Sequence, residues 1–249
     1  MTVLFLLSIL CTIILVVEVA YSYFKKDGAY SKNGTIGNTI NFFALGYVSQ
    51  KITPIFLAYF VVWYSWVDHS LDAKSLIMVL CSIVLVDGVY YFFHRLFHKI
   101  PLLWEFHSVH HSDDHFNLST SFRISILEHV TILFFFAPLL FIGVNPFTIF
   151  EAVYFLGLYQ FITHSSYITF PSWLGYLLVT PQSHRVHHSQ NAIHYNKNFG
   201  GILSIWDRVF GTYHSEAKDI AVGIKGYTEN NVVLLQLRPF KKVFNKYKK

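Results

Sequence analysis

His94-Arg95-Leu96-Phe97-His98, His107-Ser108-Val109-His110-His111 and His184-Arg185-Val186-His187-His188 decide how this chain is read, with the single His164 lying between the second and third. On a helix, residues three and four apart share a face. Each of these stretches is therefore expected to point its imidazoles one way. Neutral imidazole is a common ligand for zinc, copper, iron and nickel. Nine rings exceed what one tetrahedral ion can take, since a structural zinc takes four ligands and a catalytic zinc three plus water. His94, His98, His107, His110, His111, His164, His184, His187 and His188 are thus the candidate ligands of a two-metal centre. An isolated histidine in an aromatic-rich helix is usually an ordinary packed residue, which is the reading given to His69, His129 and His214. His115 and His194 lie close to a cluster and are candidate outer partners of the ligand rings.

Around these clusters the composition is that of a membrane protein. Of the 249 residues 53% are apolar and 18% aromatic, while charged residues reach only 13%, about half the usual share of roughly 25%. The net charge of +5 suits membrane topology and anionic headgroups better than nucleic acid, because no basic stripe sits on a soluble module. Cys11 and Cys81 lie in apolar runs, too few for a disulfide framework or a cysteine-bound iron–sulfur centre. Residues 1–24 carry no basic stretch before their apolar run, so a retained anchor helix is expected rather than a secretory signal.

Val3 to Phe24 is long enough to cross a bilayer, with Glu18 near enough to its end to reach the interface. Within 36–67, Gln50, Lys51 and Pro54 interrupt the apolar run. The expectation is a span in the second half, with 36–51 interfacial. Residues 68–74 form a polar turn, and 75–97 the next span. Pro101 then starts polar, partly helical chain to about residue 125. Apolar runs at 126–144 and 146–162 flank the turn signal Gly143-Val144-Asn145-Pro146 and read as a helical hairpin. A further interfacial segment is expected at 172–180.

The resulting fold class is all-α and integral to the membrane, with about four to five transmembrane helices under a cytoplasmic histidine-rich helical cap. The domain reading is 1–74 for N-terminal membrane helices, 75–215 for the metal domain and 216–249 for a basic C-terminal tail. Lys25, Lys26 and Lys32, then Arg95, Lys99 and Arg123, then Arg185, Lys197 and Arg208 share one side if the N-terminus is outside. The opposite loops carry only Lys74. By the positive-inside rule, the histidines then lie on the cytoplasmic face.

Acids near the clusters are softer candidates. Asp113 and Asp114 could accept a ligand imidazole's other N–H, as carboxylates do around metal-bound histidine. Asp87 is expensive inside a span and so a site candidate by default. Glu128 and Glu151 rank below it.

The order HxxxH, HxxHH, single His, HxxHH resembles the fatty acid hydroxylase/sterol desaturase superfamily of membrane di-iron enzymes. The surrounding text is also similar: Leu103-Trp104-Glu105-Phe106 before His107, Asn117-Leu118-Ser119-Thr120-Ser121-Phe122-Arg123 after it, then Asn196-Lys197-Asn198-Phe199-Gly200 and Ile205-Trp206-Asp207-Arg208-Val209-Phe210-Gly211. The likeness runs over about residues 75–215 and is greatest to the alkylglycerol monooxygenase branch and its short bacterial members. Glu105 stands where relatives often carry a basic residue. The resemblance implies a non-haem centre of two iron ions held by the nine histidines, which uses O2 to hydroxylate or desaturate an unactivated lipid C–H bond. Zinc could displace the iron during purification and leave the enzyme inactive. Electrons would come from outside, from a ferredoxin- or cytochrome-type donor or a pterin, since the chain carries no haem motif, nucleotide fingerprint or cysteine cluster. A lipid substrate and no nucleic-acid partner follow. The location implied is the inner membrane of a bacterium or the endoplasmic reticulum of a eukaryote. The competing readings are a membrane metal-transport or metal-binding protein, which would spread its ligands along the bilayer depth, and a zinc hydrolase, disfavoured by the absence of HExxH.

Overall fold

The computed structural model describes residues 2–66, 76–215 and 220–248, so Asp68, His69 and Lys74 of the expected polar turn lie outside the described residues. Three helices are long and apolar enough to cross a membrane: α1 (Thr2–Lys25), α2 (Lys32–Tyr64) and α3 (Leu76–Lys99). At 1.5 Å per residue the 24 residues of α1 or α3 reach about 36 Å, enough for a hydrocarbon core of roughly 30 Å.

α2 is one uninterrupted helix of 33 residues, so the segment expected to be interfacial and the span expected after it are continuous. Ser31 starts it by accepting the Gly34 N–H. Lys51 is tolerated because its side chain stays exposed, with the amine 5.7 Å from the Tyr47 ring centre. The charge leaves the apolar surface while the stem covers it.

After α3, α4 (Pro101–His107) runs into 3₁₀ turns at His110–Ser112 and Leu118–Phe122. The expected hairpin is built from shorter pieces: α5 (Ile126–Phe136), α6 (Pro138–Phe141) and α7 (Pro146–Thr163). Pro138 ends α5, and Asn145 caps α7 by accepting the Phe147 N–H. A 3₁₀ turn at Ser172–Tyr176 leaves Trp173, Tyr176 and Leu177 exposed, as an interfacial segment would. The remaining helices are α8 (Pro181–His187), α9 (Ile205–Val209) and α10 (Val232–Tyr247). Among the described residues there is no extended strand, only isolated bridges such as Leu178 to Leu203.

One apolar core joins α2, α3, α5–α6 and α7 through Phe60, Val86, Leu140, Ile149 and Leu156. A smaller one packs Phe93 and Phe97 of α3 on Phe106 of α4. Glu18 is spent inside the protein. It is buried, and its carboxylate accepts from Tyr30, the Ser165 hydroxyl and the Ser166 N–H, which ties α1 to the chain just beyond His164. The segment expected as a tail holds α10, whose Gln236 amide donates to Asn41 Oδ1 and the Ile124 carbonyl. Cys11 is half-buried and Cys81 exposed, both as free thiols.

Candidate metal centre

The last two turns of α3, the end of α4, the C-terminal cap of α7 and all of α8 meet at one end of the helix assembly. Together with the 3₁₀ turn His110–Ser112, they bring all nine histidines there as two groups. His94, His98, His107, His111 and His187 form one; His110, His164, His184 and His188 form the other. Within each group one nitrogen per ring lies within 4.8 Å of the rest.

The partition corrects the expectation that each cluster points one way. In both HxxHH stretches the first and last histidines share a group and the middle one joins the other: His107 and His111 against His110, His184 and His188 against His187. Helical geometry explains it for α8. Residues four apart differ by about 40° around the axis, whereas the i+3 and i+4 positions are about 100° apart and diverge. The groups touch through His111 and His188, whose rings stack 4.4 Å apart.

Ring orientation is set from outside. Nδ1 of His94 donates to the Phe199 carbonyl (2.9 Å), that of His107 to the Glu128 carboxylate (2.6 Å) and that of His187 to the Lys197 carbonyl (2.7 Å). In the second group, His164 Nδ1 donates to the Gln160 carbonyl (2.6 Å) and His110 Nδ1 to the Arg123 carbonyl (3.3 Å). A neutral ring that donates through Nδ1 has only a lone pair at Nε2. Nevertheless Nε2 of His107 lies 3.1 Å from Nε2 of His94 and 3.2 Å from that of His111. Nε2 of His164 lies 3.2 Å from Nε2 of His110 and 3.1 Å from that of His184. Nε2 of His98, His187 and His188 is buried with no hydrogen-bond partner.

Between His94 and His107, and between His110 and His164, both rings are spent at Nδ1, and such facing lone pairs in a buried space repel unless a cation lies between them. Nitrogens sharing an ion at about 2.0–2.1 Å sit about 3 Å apart, which is the spacing found. The donor set therefore fits metal ions. Protonation is disfavoured as well. Burial first, and then neighbouring imidazoles, hold His110, His111, His184 and His188 well below the ordinary histidine range. Burial pushes His187 down to about 3, against the opposing effect of its bond to Lys197. A neutral imidazole is the metal-binding form.

The acids and histidines expected as outer partners lie elsewhere. Asp87 accepts the Ile202 and Leu203 N–H groups and the Trp206 indole, so it holds the segment after Phe199 rather than a ring. Gly201 lies so close that a Cβ there would be 2.6 Å from Asp87 Oδ1 and 2.5 Å from Leu156. Asp113 accepts from Asn38 and Thr120. Asp114 accepts from His115 and Thr228. His194 pairs with the Ser189 hydroxyl. Glu128, ranked lower from the sequence, is the carboxylate that reaches a clustered ring. Its signal was an acid within an apolar run, three residues after the capping Ser125.

The backbone acceptors carry no such signal, although the Asn196-Lys197-Asn198 turn now has a reason. Both asparagines adopt positive φ (60° and 57°), a conformation asparagine tolerates better than most residues. Asn198 is fixed by donating to the Ser183 and His214 carbonyls. Asp207 then accepts the Phe199 and Gly200 N–H groups. The turn thereby aims the Lys197 and Phe199 carbonyls at His187 and His94.

Fold and site together define a helical membrane protein organised around a polyhistidine metal centre. The family model for fatty acid hydroxylase matches residues 79–212, and the chain belongs to that family. It is similar to an alkylglycerol monooxygenase of Danio rerio, 32% identical over 216 residues that cover 85% of this chain and 48% of that protein. It is also similar to the alkylglycerol monooxygenase of Homo sapiens, 40% identical over 140 residues, 56% of this chain and 31% of that protein. The ornithine lipid hydroxylase OlsE of Rhizobium tropici is 30% identical over 175 residues, 65% of this chain and 50% of that protein. The chain thus spans half or less of the length of these relatives. No solved structure matches it.

Proposed function

We propose that this chain is an O2-dependent lipid hydroxylase with a centre of two iron ions. His94, His98, His107, His111 and His187 would hold one ion, and His110, His164, His184 and His188 the other. The observation that carries the reading is the meeting of inward lone pairs between His94 and His107 and between His110 and His164, rings whose outer N–H groups are already spent. Bound there, iron would supply the O2 activation that cleavage of an unactivated C–H bond requires. Zinc has no redox chemistry and would support none of it.

The chain's own part is to orient and to shield. Glu128 and the carbonyls of Lys197, Phe199, Arg123 and Gln160 fix the rings, and the buried setting keeps bulk water from the reacting carbon. The named relatives are alkylglycerol monooxygenases and an ornithine lipid hydroxylase, whose substrates are lipids with a polar head. A lipid of that kind, reaching the site from the bilayer, is the substrate class proposed. Desaturation would use the same centre, and product analysis separates the two outcomes. Electrons are proposed to arrive from a ferredoxin- or cytochrome-type donor or a pterin.

We place the centre on the cytoplasmic face with the N-terminus outside, in a bacterial inner membrane or the endoplasmic reticulum. The positive-inside count supports this. So does the meeting of α1's end, α2's start and α3's end at one level, tied by Glu18 to Ser165 and Asn38 to Asp113. That same gathering disfavours metal transport, which would want ligands along the depth of the bilayer.

The deciding experiment loads the protein with iron, measures metal per chain, and supplies reductant, lipid and isotope-labelled O2. Label in a hydroxyl group of the lipid is expected. Zinc-loaded and iron-loaded protein with equal activity, or turnover without O2, would overturn the proposal.

A further inference from the structure

α10 is apolar on two opposite sides. Its inner side carries Leu235, Gln236, Pro239 and Val243 towards α2 and α4, and Leu235 and Pro239 are buried. Its outer side carries Val233, Leu237, Phe240 and Phe244, spaced four, three and four residues apart and hence in one line along the helix. They are 65%, 55%, 54% and 63% exposed. Phe240 meets the Phe106 ring of α4 edge-on at 5.2 Å, and otherwise the line faces outward.

The charges beside it are of one sign. From residue 232 to the end, Arg238, Lys241, Lys242, Lys246, Lys248 and Lys249 are unbalanced by any acid. Arg238 is spent inward on the Ser108 hydroxyl (2.6 Å), and Lys242 lies 3.8 Å from Glu105. Lys241, Lys246 and Lys248 remain exposed. By the helical period Lys241 and Lys248 border the apolar line, where their stems can lie along it and their amines reach past it.

The line also continues onto a membrane helix. Val232 and Val233 share a cleft with Ile36 and Ile40 of α2, and the exposed apolar side of α2 runs on through Phe43 and Tyr47. The junction is fixed by close approach, since a Cβ on Gly37 would lie 2.5 Å from the Asn230 carbonyl oxygen.

We propose that α10 lies in the plane of the membrane that α2 enters. Val233, Leu237, Phe240 and Phe244 sink into the leaflet, and Lys241 and Lys248 hold the phosphates of anionic phospholipids. An apolar line bordered by lysines is what an interfacial helix presents to such a surface. The proposal is independent of which metal the centre holds.

It is tested on the full chain reconstituted in vesicles of phosphatidylcholine, alone or mixed with phosphatidylglycerol. Spin labels at Leu237→Cys or Phe244→Cys, one per chain, with Cys11 and Cys81 replaced by serine, report access to O2 against access to a water-soluble nickel chelate. With phosphatidylglycerol, O2 access is expected to dominate at both positions. In the unaltered chain, tryptic cleavage after Lys241 and Lys242 is expected to slow on the order of tenfold in the anionic vesicles. The double variant Lys241→Gln, Lys248→Gln, which keeps the cleavage site after Lys242, is expected to lose that lipid dependence there. Free access of the nickel chelate to both labels with cleavage rates indifferent to lipid charge would overturn the proposal. So would spin–spin broadening between labels, which would show a second copy covering the line.

Discussion

His107 donates its Nδ1 proton to Glu128 across 2.6 Å, and both side chains are buried. The bond joins α4 to α5 and turns the ring so that its Nε2 faces those of His94 and His111. Glutamine at 128 can still accept through its amide oxygen, but without the charge. Glu128→Leu leaves the N–H with no partner. Loss of such an outer carboxylate typically weakens metal affinity about 10–100-fold. We expect Glu128→Leu to fall in that range and Glu128→Gln to lose less, read by competition with a metal-binding dye. Equal affinity in both variants and the parent would dismiss Glu128 as a ligand-orienting group.

Removing single rings should reveal the two groups. His98→Ala and His184→Ala are each expected to lower bound metal from about two ions per chain toward about one, with activity lost and membrane insertion intact. His107→Ala and His187→Ala should likewise abolish turnover and lower iron content. Retained turnover in either would count against the ligand assignment.

Asp87 carries a different prediction, because three N–H donors depend on it. Each buried donor left unsatisfied costs about 1–3 kcal/mol. Asp87→Ala should therefore lower thermal stability more than His98→Ala does in metal-free protein. Asp87→Asn, which keeps one acceptor oxygen, should fall between. A melting temperature unchanged in Asp87→Ala would refute the structural role.

The pH dependence follows from the buried rings. His187 is held at about 3 against an ordinary value of 6.5, and its buried neighbours are depressed in the same direction. Between these values the unfolded chain binds protons that the folded chain refuses, so folding stability falls as pH drops below 6.5. The metal-stripped protein is expected to melt at progressively lower temperature from pH 7 towards pH 4 (roughly the span between the two states' titrations). A flat profile would mean that the rings are hydrated.

The nine rings could be read from the sequence because spacings of three and four residues project onto neighbouring helix positions. The residues that orient them were harder to find. Carbonyls such as those of Lys197 and Phe199 have no side-chain signature, and Glu128 becomes distinguishable from Asp87 only when α4 and α5 are side by side. The division of the first HxxHH stretch was also hidden, since the chain leaves α4 for a 3₁₀ turn at His110, whereas that of the second follows from the period of α8. The continuity of α2 through Lys51 has no sequence signal, because an ammonium can stay outside an apolar surface without breaking the helix beneath it. α10 read as a basic tail because its inward contacts, Gln236 and Arg238, are polar.

The alternation within the two HxxHH stretches has a consequence for anyone seeking to rebuild this centre. Each short segment is stitched into both halves, so neither half can be cut out, transplanted or re-specified by itself. A one-residue insertion in α8 would misplace donors on both sides at once. The pair can be transferred to another scaffold only as a single woven unit.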